Sequence, residues 1–416
     1  MQKEKIWSKF FIVMCLIGLM GTSVNFMLDN TLTIYAAYAW PANSSSIAGY
    51  LTTTFTAGSI TAALFAGTIT DKVGRQKVLI IGILCFLLGI AAMMITKNVA
   101  FNMCCRVLQG IGKGIFGVSG MAVAADVLPR ARMGEGMALF GLGSSLATAF
   151  GPMLGLAIIA NGNYTLMFVV DVLLFVVALA LAFFLNYEKK EPYQSRIAEE
   201  RAEAERIAAT VAPQKGLWKF FEKGAVPSSV TCFFYGAGCT CILIYLTIFA
   251  TTVLNIPNAQ AGGFFTAAAI AMFITQLTVG KIIDRYGVTA VVTCGFSALI
   301  LCIVLLITVG SSYVMYILCG VLYGLSMELI YPALSAASIQ DSPKNRRGAA
   351  SSTYAFMMDF GILIASALMG VIAQNFGYYT MFLSGVVFNV IGIVLTVALM
   401  RNAARAKRRK RLGVED

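Results

Sequence analysis

A signature of glycines and charges occurs twice in this chain. Gly67-Thr-Ile-Thr-Asp71-Lys-Val-Gly74-Arg75 returns as Gly280-Lys-Ile-Ile-Asp284-Arg-Tyr-Gly287, about 213 residues later. A second signature keeps nearly the same offset: Pro129-Arg-Ala-Arg132-Met-Gly134 returns as Pro343-Lys-Asn-Arg346-Arg-Gly348. An offset held by two signatures marks one unit used twice. The unit is apolar: 59% of residues are hydrophobic, only 12% are charged, and mean hydropathy is +0.81. Soluble domains carry about a quarter charged residues. Apolar stretches of about 20 residues recur, each long enough to cross about 30 Å of hydrocarbon. They are roughly twice what a tilted membrane strand needs, which argues against a barrel.

These stretches predict twelve spans, near 8–38, 45–69, 78–96, 101–125, 136–160, 165–186, 226–254, 260–283, 288–309, 313–338, 348–373 and 379–400. The expected fold is an all-α integral membrane protein, with twelve transmembrane helices as two pseudo-symmetric six-helix bundles around a central cavity. Its expected parts are an N-terminal bundle (1–186), a cytoplasmic linker (187–225), a C-terminal bundle (226–400) and a basic cytoplasmic tail (401–416). Internal duplication in a hydrophobic chain is a mark of many transporters.

A net charge of +12 raises the question of nucleic acid, and the placement of the charge argues against it. With alternating helices, nearly all Lys and Arg fall on one side, Lys97 being the outer-loop exception. That bias puts both termini and the central loop in the cytoplasm of a multi-pass protein, in a prokaryotic inner or plasma membrane. Trp7, Trp40 and Trp218 stand at expected helix ends, where amphipathic rings favour the interface. The N-terminus resembles a signal peptide for some twenty residues, yet the apolar run continues to Asp29 and reads as the first span.

The chain has ten cysteines and no histidine, so neither a metal-ligand set nor the usual base of a membrane hydrolase is assembled. No metal, no cofactor and no enzymatic activity are expected. Residues 187–225 are rich in Ala, Glu and Arg and read as a solvated linker between the halves.

The first signature resembles the loop between spans two and three of the major facilitator superfamily, with Gly67, Asp71, Gly74 and Arg75 in place. Arg106-Val-Leu-Gln109-Gly110-Ile-Gly112 resembles that family's proton-coupling motif in span four. Gly151-Pro152-Met-Leu-Gly155 in span five is similar to the hallmark of its twelve-span drug:proton antiporter branch. The resemblance covers the whole chain. It implies a cytoplasmic latch of Gly67, Asp71, Gly74, Arg75 and Asp126, and a helix bend at Gly151 and Pro152. The second copy of the loop has Val288 where Arg75 stands, and Gln76 replaces a basic residue of the family, so the latch is expected to be asymmetric.

Ionisable residues inside spans cost about 2.5–3.5 kcal/mol or more unless paired or hydrated, and mark function. Arg106 and Lys113 are seven apart and fall on nearly one helix face. Counter-charges are Asp29, Asp171, Glu328 and Asp359, Asp171 lying nearer an outer end and reading as structural. Proton coupling is assigned to Asp29, Arg106, Glu328 and Asp359. Substrate contacts are assigned to Asn25, Gln109, Lys113, Gln276, Tyr323, Tyr331 and Asn389. Two functions remain open at this point. One is a proton-coupled exporter of a small organic molecule or drug, acting as a monomer by alternating access, with protons, a small-molecule substrate and the bilayer as partners. The other is an uptake or exchange carrier for a small organic anion clamped by Arg106 and Lys113. Paired cations would favour the first, uncompensated cations the second.

Overall fold

The structure is a computed structural model. It describes residues 6–129, 133–159, 162–191, 193–195, 198–199, 221–309, 312–342 and 347–400. At 67, 68, 71, 72, 133–135, 137, 138, 142, 144, 145, 148, 149, 258, 259, 284, 309, 347–349 and 400 only the backbone is described. Arg132, Trp218, Pro343, Arg346, most of the linker and the basic tail therefore lie outside the described residues, as do the side chains of Asp71 and Asp284.

Every described element is helical. The α-helices of eight residues or more are, in chain order, α1 (Lys9–Ala39), α2 (Ser44–Val73), α3 (Arg75–Met93), α4 (Val99–Asp126), α5 (Met133–Ile159), α6 (Tyr164–Phe184), α7 (Val226–Thr252), α8 (Gly263–Gln276), α9 (Val279–Tyr286), α10 (Val288–Val309), α11 (Tyr313–Gln340) and α12 (Arg347–Leu395). Eight described helical stretches have the length and apolarity to cross a membrane. One of them, Ala350–Leu399, runs 50 residues, about 75 Å of helix against roughly 30 Å of hydrocarbon. It breaks at Gly377, whose φ of +83° is not helical.

Helix starts are written in the sequence. The Ser8 hydroxyl accepts from the Phe11 amide at 3.1 Å, Asn98 from Phe101 at 3.0 Å, and Asn163 from Leu166 at 3.0 Å. Each satisfies an N–H that the first turn would leave without a partner. Stops follow glycine: Gly74 (φ +111°) separates α2 from α3, and Gly287 (φ +80°) separates α9 from α10. These two glycines close the two copies of the repeated signature. Only a residue without Cβ adopts such backbone at little cost.

The chain forms two compact units. One comprises Met1–Ala42 and Tyr50–Pro213, the other Asn43–Gly49 and Gln214–Asp416. The same packing device occurs in each. In the first, Gly110 and Gly114 of α4 seat against the carbonyls of Phe55 and Ser59 of α2. In the second, Gly320 and Gly324 of α11 seat against the carbonyls of Phe264 and Ala268 of α8. Gly151 of α5 meets the Ser23 carbonyl of α1, and Gly361 of α12 meets the Phe233 carbonyl of α7. Helices in lipid gain little from burying apolar surface against one another, so such close backbone approach is what holds them. Helix α5 runs unbroken through Pro152, with Gly151 and Gly155 lying against Ser23, Met27 and Thr31.

Candidate functional site

The first unit has described ion pairs in two places. The deeper one joins α1, α2, α3 and α4. Arg106 is fully buried, and its guanidinium divides its bonds among three helices. Nη2 donates to Asp29 Oδ1 at 2.9 Å, Nη1 to Gln109 Oε1 at 2.9 Å, and Nε to the Leu51 carbonyl at 3.3 Å. The ring of Phe55 lies 4.2 Å from the guanidinium carbon. Asn25, one turn before Asp29, donates to Asp29 Oδ2 at 3.1 Å. Gln109 passes the network on to α3 by donating to Met93 Sδ at 3.1 Å.

This arrangement follows from the glycines. Gly110 and Gly114 bring α4 onto α2, and Gly89 of α3 leaves room for the Gln109 side chain. Arg106 is thereby confined where planar, forked donors are needed to satisfy several acceptors at once. A charge in this place is tolerated because it is paired and hydrogen-bonded. Lys113, two turns along α4, points its ammonium to the same Phe55 ring at 5.7 Å. The two cations therefore do share a helix face, with an aromatic ring between them.

The second place is at the 75–76 end of α3. Arg75 forms an ion pair with Asp126 at the end of α4. Tyr187 donates its hydroxyl to Asp126 Oδ2 at 2.8 Å. The Gln76 amide donates to Glu188 Oε1 at 2.9 Å, and its side chain donates to the Ala182 carbonyl at 3.0 Å. A Cβ on Gly74 would stand 3.2 Å from the Glu188 carboxylate. A carboxylate at a helix N-terminus is favoured by the dipole and by free N–H groups. Tyr187 and Glu188 are contributions that sequence reasoning missed. The available signal was the acid immediately after span six, where Gln76 leaves the helix start without its usual cation. Whether Asp71 joins this network falls outside the described side chains.

In the second unit the expected substrate residues are scattered in environment. Tyr323 and Glu328 are buried on α11, while Tyr331 is 42% exposed. Tyr354 of α12 donates to the Tyr331 carbonyl at 2.8 Å. Asp359 and Gln276 are half-buried, and Gln276 Oε1 is a buried acceptor without a partner among the described residues. Asn389 bonds its own helix at the Gly385 carbonyl, 2.8 Å away, and leaves Oδ1 unpartnered. No group of metal-ligating side chains stands together among the described residues.

A helical protein with eight membrane-length stretches and a buried ion pair joining its helices is a multi-pass membrane protein. The family model of the Major Facilitator Superfamily matches residues 10–257 and 228–415, and the chain belongs to that superfamily. Members of that superfamily are transporters, and this chain is one. It is 20% identical to Multidrug resistance protein 3 of Bacillus subtilis, over 88% of this chain and 80% of that one. It is 24% identical to the Staphylopine export protein of Staphylococcus aureus, over 78% and 80%. It is 19% identical to the riboflavin transporter RibZ of Clostridioides difficile, over 82% and 87%. Among solved structures, a nucleoside transporter NupG variant superposes with a TM-score of 0.74 at 11% identity, covering 94% of this chain and all of that one. A POT family transporter in complex with 5-aminolevulinic acid gives 0.72 at 12% identity, covering 95% and 96%. These likenesses share the fold and differ in what they carry.

Proposed function

We propose that this transporter is a proton-coupled exporter of a small organic molecule, working in the cell membrane as a monomer with both termini in the cytoplasm. The observation that carries this reading is the pairing of Arg106 with Asp29. A clamp for an anionic substrate needs a cation without a counter-charge, and Arg106 is paired with Asp29 while each of its three nitrogens donates to Asp29, Gln109 or the Leu51 carbonyl. Export is also in keeping with the names of the multidrug resistance relative from Bacillus subtilis and the staphylopine export relative from Staphylococcus aureus.

Asp29 is the proton acceptor. Protonation cancels its attraction for Arg106 and leaves a buried cation short of a counter-charge, which that conformation cannot hold cheaply. The conformation in which Arg106 is satisfied otherwise then gains population, and the site is presented to the other side. A proton can drive such a change only through its differential affinity for the two states. Glu328 and Asp359 are the second unit's proton-coupling carboxylates. Asn25, Gln109, Lys113, Gln276, Tyr323, Tyr331 and Asn389 supply substrate contacts. Gly67, Asp71, Gly74, Arg75 and Asp126, joined by Tyr187 and Glu188, form a latch at the cytoplasmic ends of the helices.

The reading is tested in everted membrane vesicles with an acidified lumen, by adding lipophilic cations, neutral aromatic compounds and small organic anions in turn. Proton release from the lumen on addition of a cationic or neutral compound, absent with Arg106→Ala, is the expected result. Uptake of anions alone, with no proton movement, would instead establish the anion carrier.

A further inference from the structure

The Asp29–Arg106 pair accounts for one buried carboxyl of the first unit and leaves another without a task. Asp171 lies on α6, two turns in from Tyr164. Its side chain is fully buried, and neither carboxyl oxygen has a hydrogen-bond partner among the described residues. We propose that Asp171 is a second proton-binding carboxyl, holding its proton in this conformation and releasing it when α6 is hydrated in another. For its place in a transport cycle the inference rests on the proton-coupled reading above. For the protonation itself it does not.

The surroundings of α6 fix the argument. Its main neighbours are α1, α3 and α5. On α1, Thr31 donates to Met167 Sδ at 2.9 Å, and the ring of Tyr35 lies 5.1 Å from that of Phe168. The two helices run antiparallel, so the level of Asp171 falls near Val24, Met27 and Leu28, all buried and apolar. On α3, Phe86 stacks on Phe175 at 4.6 Å, and Gln76 reaches the Ala182 carbonyl. That register brings Gly89 and Ile90 to the same level.

The titratable groups of these helices are otherwise engaged or distant. Asp29 on α1 is held by Arg106 and Asn25. Tyr35 and Tyr38 lie toward the Tyr164 end, and Cys15 and Lys9 toward the other. On α3, Arg75 is committed to Asp126, Lys77 is exposed at the same end, and Cys85 is a neutral thiol about a turn from the Asp171 level. On α5 the only ionisable residue is Glu135, near the opposite end, where only the backbone is described. Tyr164 is the only other titratable group on α6 itself. Among the described residues no cation is bonded to Asp171.

An ionised carboxylate here would be a buried charge with neither counter-charge nor hydrogen bond, the costliest state a side chain can take in a membrane. The neutral acid avoids that charge. Ionisation becomes favourable only when water or a cation reaches the oxygens, which requires α6 to part from α1 or α3. Asp171 therefore takes up and gives up one proton, as COOH to COO⁻ plus H⁺, in step with that parting. An asparagine would do as well for packing but would carry no proton.

The experiment is infrared difference spectroscopy of the purified full chain in liposomes, titrated from acid to alkaline pH without substrate. We expect a carboxylic-acid C=O band at neutral pH that disappears in Asp171→Asn and persists in Asp29→Asn. The band should also be lost reversibly as pH rises. If Asp171→Asn does not fold, Asp171→Leu replaces it, because an apolar side chain suits an apolar site. An unchanged spectrum in the folded variant would show that Asp171 is already ionised and would overturn the proposal. So would a band assigned to Asp171 that survives to the alkaline limit, since such an acid never gives up its proton. Neither readout depends on transport, so a failed export assay and a failed Asp171 assignment remain separate results.

Discussion

Arg106 of α4 and Asp29 of α1 form a 2.9 Å ion pair in which the guanidinium is completely shielded from solvent. Removing one member of a buried pair strands the other, at a cost of about 3–5 kcal/mol. Arg106→Gln and Asp29→Asn should each lower the thermal midpoint of the detergent-purified protein. The double variant should be more stable than the sum of the two single losses predicts, and still fail to couple transport to protons. Thermal unfolding of all four proteins closes the cycle, and strictly additive losses would mean that the pair does not hold α1 to α4.

A glycine contrast on α4 tests the packing that confines this pair. A Cβ at Gly110 would collide with the backbone carbonyl of Phe55, whereas one at Gly117 meets nothing within 4 Å. Gly110→Ala should cost about 1–3 kcal/mol, because backbone cannot step aside as a flexible side chain does. Gly117→Ala should be neutral or stabilising by up to about 1 kcal/mol through helix propensity. Midpoints measured side by side decide the point, and equal effects would contradict the seating of α4 on α2.

For the latch, Arg75→Ala and Asp126→Asn should slow turnover more than they reduce the amount of folded protein in the membrane. Tyr187→Phe removes one neutral-to-charged hydrogen bond and should have a smaller effect on stability, about 1.5–3 kcal/mol at most. Combining Arg75→Ala with Asp126→Asn should add little to either change alone. Initial transport rates normalised to folded protein provide the check, and full additivity would show that the two residues act separately.

The fold was legible because the bilayer leaves few solutions for an apolar, duplicated chain, and because helix starts at Ser8, Asn98 and Asn163 are encoded by their own caps. The Asp29–Arg106 pair was legible as a list of candidates: charge inside a span is costly, so the few that occur had to find one another. What sequence could not supply was the partner of each. Asn25 and Gln109 were assigned to substrate, yet both spend a hydrogen bond on the ion pair. Nothing in the sequence indicated that Phe55 stands between Arg106 and Lys113, since that depends on Gly110 and Gly114 drawing two helices together. Asp171 read as structural from its position near a span end, and only the packing of α1 and α3 around it shows how completely it is enclosed.

Glu328 offers a comparison from the second unit, where it is 8% exposed on α11. Glu328→Gln fixes a neutral side chain of the same shape. If this residue loads a proton, the variant should still exchange substrate down its gradient, but should lose the dependence of export on lumenal pH. Retention of a normal pH profile in vesicles would remove Glu328 from the coupling scheme.

The most direct measurement of the central claim is the proton count per substrate in proteoliposomes holding the purified chain. A compound selected from the everted-vesicle screen is supplied at a known gradient against a series of imposed pH gradients, and the gradient that just halts net flux is recorded. The account predicts a finite balance point that shifts with pH difference in the wild type and vanishes in Asp29→Asn, which should then only equilibrate the compound. A balance point that depends on the substrate gradient alone, in wild type and variant alike, would contradict proton coupling through Asp29 and Arg106.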